Sequence, residues 1–369
     1  MAEYTAADTL RIARRVNNSK RAYLLVNPLQ GKHLPVSPQA ALKMMQTLGE
    51  RLAEEFPEPT LLIGFAETAT AVGAMAASCF ESDSIYIHTT REPLPEGSAI
   101  LFQEEHSHAV EQALYCREME SWLDEVGRVI FIDDELSTGK TLLNMVEQLA
   151  GCFPALRKKK LVAASILNRL TPENEARLEA AGIVSRYLVK LPDEDYTAAA
   201  VRFSVTEAAE PESPPLEWEH IPASFCKPRM GVLPFDYLDV CCRKAKNLLP
   251  HFQKALEPTG KILVLGTEEC MFPALVLGAV LEAQGLSVRC HATTRSPIGV
   301  SREEGYPIRE GWRLKSFYDA NRETFLYNLD AYDAGIVVSD GTCAAGLRSL
   351  SAALNIHGCG KLFFVGGEL

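Results

Sequence analysis

The stretch VIFIDDELSTGKTLL, residues 129–143, opens with four apolar positions, continues with adjacent acids and reaches Gly-Lys-Thr before its last two leucines. That Gly-Lys-Thr matches the end of a nucleotide-binding P-loop, Gly-x-x-x-x-Gly-Lys-Ser/Thr, whose first glycine lets successive backbone N–H groups face the phosphates. Counting back from Gly139 puts Asp134 at that first glycine. A carboxylate there repels polyphosphate and lacks glycine's backbone freedom, so the P-loop reading fails at its first requirement. A second reading uses every residue. Val129–Ile132 form a central strand, Asp133 and Asp134 stand at its carboxyl end, and Ser137–Thr141 turn into the helix LLNMVEQLA. In an α/β sheet, that strand end is where ligands bind.

At a helix start, backbone N–H groups and the hydroxyls of Ser137, Thr138 and Thr141, with Gly139 and Lys140 between them, can cradle a phosphate monoester. Asp133 and Asp134 can accept hydrogen bonds from the two hydroxyls of a ribose. One ligand carries both features, a ribose 5-phosphate. The pattern strand-Asp-Asp-x-x-Ser-Thr-Gly-x-Thr resembles the motif for 5-phosphoribosyl 1-diphosphate (PRPP) in type I phosphoribosyltransferases, here of an orotate-phosphoribosyltransferase-like build. Family members often have glycine where this chain has Lys140, which leaves the backbone donors in place. The resemblance implies an enzyme that moves ribose 5-phosphate from PRPP to a nitrogen of a base-like acceptor, with Asp133 and Asp134 catalytic. It also implies Mg²⁺, held mainly by the ligand's own oxygens with help from Asp133 or Asp134.

The same resemblance assigns GFAETATAVG, residues 64–73, to the pyrophosphate loop, with Ala66, Glu67, Thr68 and the later Arg91 as contacts. A helix cap with Glu67 in its first turn is the plainer alternative. The segment from Arg91 to Leu114 occupies the place of the family's mobile loop, where Glu105, His106 and His108 can serve proton transfer or stand as solvated side chains. Lys32 and His33, with residues 180–205, are candidates for the variable hood that grips the nucleobase.

At 369 residues the chain exceeds one typical core and calls for two domains. EAAEPESPP, residues 207–215, lacks apolar periodicity and reads as an exposed linker. The expected division is a phosphoribosyltransferase domain with hood at 1–206, a linker at 207–228 and a second domain at 229–369. Runs such as AYLLVN, TLLIGF, SIYIHT, RVIFID and KLVAASIL, alternating with helical patterns, predict an α/β fold whose parallel sheet is flanked by helices. A net charge of -11 argues against a nucleic-acid partner. No stretch approaches the apolar length of a membrane span or a signal peptide, so a cytoplasmic location is expected. The ten cysteines form no CxxC pair, which predicts reduced, mostly buried thiols and no protein-ligated zinc.

The second half repeats the plan of the first. KILVLGTEECMFPALVLG matches TLLIGFAETATAVGAMAA as strand, glycine, polar loop and apolar helix. Setting Gly64 against Gly266 sets Glu67 against Glu269, and Arg91 and Arg295 follow at intervals of 27 and 29 residues. FIDDELSTG then matches VSDGTCAAG, with Asp133 against Asp340 and Asp134 against Gly341. Three ordered matches point to an internal duplication whose second copy is degenerate. Residues 294–297 read Thr-Arg-Ser-Pro, and the domain resembles the TRSP domain found behind phosphoribosyltransferases. Proteins of that build are associated with tellurite-resistance and stress clusters and a nucleoside-like product. Glu269, Cys270, Arg295, Ser296, Asp340 and Cys343 are the candidate site residues of this domain. A homodimer is common among the resembling enzymes. A PRPP-sensing regulator without catalysis is the reading from another functional class.

Overall fold

The computed structural model describes residues 3–16, 18, 21–81, 83–94, 99–102 and 112–368. Residues 3–6, 45–193 and 226–240 pack as one compact unit, and residues 7–44, 194–225 and 241–368 as another. The first unit is built on five parallel strands: β1 (Thr60–Gly64), β2 (Ile85–His88), β3 (Arg128–Leu136), β4 (Lys160–Asn168) and β5 (Ile183–Lys190). Their order is β2-β1-β3-β4-β5. Strands β1 and β2 are buried throughout, as near-continuous apolar runs require of strands covered on both faces. Helix α1 (Thr70–Ala77) is made of small residues and is buried along its whole length. The reason is Tyr86 on β2, whose phenol donates to the Thr70 carbonyl at 2.7 Å. A Cβ added to Gly64 or Gly73 would lie 2.8 Å from that hydroxyl. Two glycines thus make the slot that lets α1 lie close to the sheet. Helix α2 (Lys140–Cys152) returns from β3 and buries Leu142, Met145 and Leu149 against the core that holds Phe131 and Leu178.

The second unit repeats this arrangement with β6 (Glu219–Pro222), β7 (Lys261–Gly266), β8 (Ser287–Ala292), β9 (Ala334–Ser339) and β10 (Lys361–Gly366). All pairings are parallel, in the order β8-β7-β9-β10-β6. Helices α3 (Phe272–Glu282) and α4 (Ala344–Ile356) follow β7 and β9, as α1 and α2 follow β1 and β3. With the edge strands β5 and β6 set aside, the remaining four strands of each sheet run in the chain order second, first, third, fourth, as a duplication requires.

The units are not successive halves of the chain, which differs from the expected 1–206, 207–228 and 229–369. The run AYLLVN supplies Tyr23–Val26, which pairs antiparallel with Arg11–Arg14 instead of joining the first sheet. Ala13, Leu24 and Val26 bury themselves with Ile298, Tyr306, Ile308 and Tyr327 of the second unit. Nor is the polar stretch after residue 206 merely a linker. The Ala209 N–H donates to the Gly311 carbonyl at 3.0 Å, and Glu219–Pro222 forms the edge strand β6. Backbone pairing can be satisfied at a sheet edge whatever the composition, so polarity alone concealed it.

Candidate functional site

β3 is buried as far as Ile132, and Asp133, Asp134 and Glu135 beyond it are half-buried. The strand thereby carries its acids out of the apolar core onto the carboxyl edge of the sheet. The Asp134 N–H donates to Asp133 Oδ1 at 2.9 Å. Glu135 is held by Arg169, with Nε 2.7 Å from Oε1. The chain then turns at Gly139, whose φ of 73° is left-handed and which caps α2. A side chain there would also meet Leu178 at 3.0 Å, so glycine is required twice over. The Lys140 N–H donates to Thr138 Oγ1 at 3.3 Å, and the Lys140 side chain is exposed. Asp133, Ser137, Thr138, Gly139 and Thr141 line a cavity of about 70 Å³ that also touches Phe65. The first turn of α2 presents amides without intrahelical partners to this edge, where they favour an oxyanion.

Phe65 begins the neighbouring loop and donates its N–H to the Ile132 carbonyl at 3.0 Å, which sets that loop beside the acids. The next peptide is gripped from both sides. Ala66 N–H donates to Thr89 Oγ1 at 2.7 Å, Gln112 Nε2 donates to the Ala66 carbonyl at 2.9 Å, and Thr89 Oγ1 donates to Gln112 Oε1. The Ala66–Glu67 peptide is cis. Ala66 and Glu67 are buried, and Thr68 is half-buried. Arg91, half-buried, follows β2 by three residues. The expected pyrophosphate loop and the acid pair therefore share one sheet edge. Gln112 was not anticipated, because its partner lies 46 positions away and no local pattern marks it. Glu105, His106 and His108 lie outside the described residues.

A family model described as phosphoribosyl transferase matches residues 9–190, and one described as the TRSP domain C-terminal to it matches residues 229–353. Residues 9–190 are a domain of this phosphoribosyltransferase family, followed by a TRSP domain. Among curated proteins no relative matches it. Solved structures similar to it include adenine phosphoribosyltransferase from Rhodothermus marinus, 14% identical, covering 50% of this chain and 96% of that one at a TM-score of 0.35. Another is adenine phosphoribosyl transferase from Trypanosoma brucei in complex with AMP, pyrophosphate and ribose-5-phosphate, 16% identical, covering 50% and 78% at 0.38. Hypoxanthine phosphoribosyltransferase from Staphylococcus aureus is 15% identical, covering 42% and 76% at 0.25. Among the described residues no helix is long and apolar enough to cross a membrane.

In this phosphoribosyltransferase the hood expected at Lys32 and His33 is not an open loop, since both residues are buried within the second unit. The Lys32 ammonium donates to the carbonyls of Glu268 and Thr293 at 2.7 and 2.9 Å. Of residues 180–205, Ile183–Lys190 form β5. In the TRSP domain the register corrects the sequence alignment by one residue. Gly64 pairs with His88 and Ile132, whereas Gly266 pairs with Ala292 and Val338. Arg295 therefore does match Arg91, but Asp133 matches Ser339 and Asp134 matches Asp340. The shift arises because α4 starts six residues after Val338, whereas α2 starts eight after Ile132, so Gly346 lies inside α4 and is not the counterpart of Gly139. Ser339 Oγ lies 2.7 Å from Thr267 Oγ1, and Tyr318 donates to Asp340. Ser296 N–H donates to Thr294 Oγ1 at 3.2 Å. Glu269 and Cys270 are buried, and Cys343 caps α4 half-buried. All ten cysteines are free, and five of them are buried, Cys116, Cys241, Cys270, Cys290 and Cys359, fewer than the expected majority. Burial pushes the Cys359 thiol up to about 11 and raises Cys290 well above its usual value.

Proposed function

We propose that the first domain transfers ribose 5-phosphate from PRPP to a nitrogen of a base-like acceptor and releases pyrophosphate. The observation that carries this reading is the acid pair Asp133–Asp134 on the same strand end as the 137–141 phosphate loop and its cavity. In this reading the 5-phosphate sits against the first-turn amides of α2 and the hydroxyls of Ser137, Thr138 and Thr141. Asp133 and Asp134 accept hydrogen bonds from the ribose hydroxyls, and their charge stabilises the positive charge that develops on the ring as the diphosphate leaves. The 66–68 loop and Arg91 would face the diphosphate. Glu135 is engaged by Arg169, and no cluster of three metal-ligating side chains occurs among the described residues. That donor set suits an Mg²⁺ ion held chiefly by PRPP's own oxygens, with help from Asp133 or Asp134. When bound, the ion would offset charge on the leaving group.

The test is the isosteric double variant Asp133→Asn with Asp134→Asn, assayed for pyrophosphate release from PRPP with a panel of bases. Turnover should fall by roughly a thousandfold, the scale for removing charge-stabilising groups from an active site. Turnover within a few-fold of the parent would reject the assignment. From the resemblance to proteins of this build alone, we further propose a product used in nucleoside-like biosynthesis linked to tellurite resistance and stress. A deletion strain with unchanged tellurite tolerance would count against that link.

A further inference from the structure

In the first domain the loop after β1 is fixed by two buried side chains from elsewhere in the chain, Thr89 and Gln112. Resting on the PRPP reading of this domain, we propose that Gln112, acting with Thr89, is a positioning residue for the diphosphate. It sets the plane of the Ala66–Glu67 peptide and thereby how the 66–68 loop meets that group.

Three hydrogen bonds form a closed ring. The Ala66 N–H donates to Thr89 Oγ1 at 2.7 Å, the Thr89 hydroxyl donates to Gln112 Oε1, and Gln112 Nε2 donates back to the Ala66 carbonyl at 2.9 Å. A primary amide can close such a ring because it carries an acceptor and a donor on one planar group. By accepting through Oε1 it turns the Thr89 proton away from Ala66 and leaves an oxygen lone pair for the Ala66 N–H. Because a peptide is planar, holding the Ala66 carbonyl also holds the Glu67 N–H. The ring is anchored at both ends. Thr89 is fully buried, and its N–H donates to the Gly64 carbonyl at 2.9 Å. Gln112 is 1% exposed and pairs with Phe102 in an antiparallel ladder, while the adjacent Ala113 exchanges two backbone bonds of 2.8 Å with Thr90.

Satisfying a buried carbonyl needs only a donor, and the TRSP domain shows that simpler solution. Glu268, at the register position of Ala66, likewise donates its N–H to the hydroxyl of Thr293 at 3.0 Å, but its carbonyl accepts from the Lys32 ammonium at 2.7 Å. An ammonium has no acceptor with which to orient the threonine hydroxyl. The closed ring therefore accompanies the acid pair and the 137–141 loop, and the copy that has Ser339 in place of Asp133 does without it. A loop already held in one orientation has less freedom to lose when the diphosphate arrives, and its dipoles are aimed beforehand. The effect should be confined to the diphosphate, because none of the three bonds in the ring involves Asp133, Asp134 or residues 137–141.

Isothermal titration of the full chain with PRPP and with ribose 5-phosphate, in buffer containing Mg²⁺, isolates the diphosphate, since the two ligands differ only at C1. The parent should bind PRPP about tenfold or more tighter than ribose 5-phosphate. Gln112→Leu, which fills the site without hydrogen-bonding, should weaken PRPP by about tenfold, the upper scale of one neutral hydrogen bond, and leave ribose 5-phosphate within about twofold. Thr89→Val should act in the same way, whereas Thr89→Ser, which keeps the hydroxyl, should bind both ligands as the parent does. The Thr89 pair decides the matter if circular dichroism shows Gln112→Leu to be unfolded. A merely structural ring would lower the melting temperature and weaken both ligands alike. If the parent binds neither ligand, the PRPP reading falls and this proposal falls with it. The proposal alone is overturned if the parent binds both equally, if the folded variants keep the parent's preference for PRPP or lose both ligands alike, if Thr89→Ser behaves as Thr89→Val does, or if Gln112→Leu and Thr89→Val both fail to fold.

Discussion

Gly139 shows how much of a site can rest on one backbone angle. Its left-handed φ turns the chain from β3 into α2, and its missing side chain leaves room for Leu178. Alanine there must adopt a conformation costing about 1–2 kcal/mol and also displace Leu178. Gly139→Ala should therefore lower stability by at least that amount and raise the KM for PRPP, measured by thermal unfolding and pyrophosphate release. Gly151, in the last turn of the same helix, has open space around an added Cβ. Gly151→Ala should be neutral or stabilising by roughly 0.5–1 kcal/mol, leaving the KM unchanged. Equal effects at the two positions would contradict this account. At this scale the strand end, its acids and the turn into α2 were legible, because they are contiguous in the sequence. Glu268 was not, because the groups that hold it, Lys32, Ser316, Arg295 and Arg322, lie far apart in the chain.

Elements were legible where burial is uniform and not where pairing decides. β1 and β3 announce themselves as apolar runs, whereas Tyr23–Val26 reads equally apolar yet pairs in a hairpin of the other unit. β8 carries a consequence that periodicity alone would miss. His291 is fully buried there, with Nε2 2.7 Å from the Tyr327 carbonyl and Nδ1 accepting from the Ala292 N–H at 2.8 Å. A neutral ring protonated at Nε2 satisfies both contacts. Burial foremost, with the charge of Lys32 acting in the same direction, pushes its pKa down to about 4. An unfolded histidine titrates near 6.5, so between those values the unfolded chain takes up a proton that the folded chain refuses. The stabilisation is complete above about pH 6.5 and is lost as pH falls toward 4, by about 2 kcal/mol at pH 5. Urea unfolding of the full chain at pH 7 and pH 5 should show that loss, and His291→Gln should lack it. A parallel pH dependence in both proteins would assign the loss to other groups.

At the scale of the molecule, chain order and packing order part company. The TRSP match spans 229–353, but the sheet it belongs to extends to β10 at 361–366 and takes its edge strand β6 from 219–222. The same unit draws Ala13, Leu24 and Val26 into its core and places the Lys32 ammonium under Glu268. A fragment of residues 229–369 would therefore lose the cover of β10 and expose Ile298, Tyr306, Ile308 and Tyr327 on one side. Each large side chain returned to water costs about 1.5–3 kcal/mol, and several together consume the 5–15 kcal/mol that stabilises a typical domain. The fragment alone should melt without a cooperative transition and aggregate, and co-expression with residues 1–228 should recover it as a soluble complex on size exclusion. A fragment that melts cooperatively near the temperature of the full chain would show that the N-terminal segments only decorate a domain already complete. The edge strand and hairpin would then have to be reassigned from structure to function, since paired and buried backbone that adds no stability needs another reason to be there.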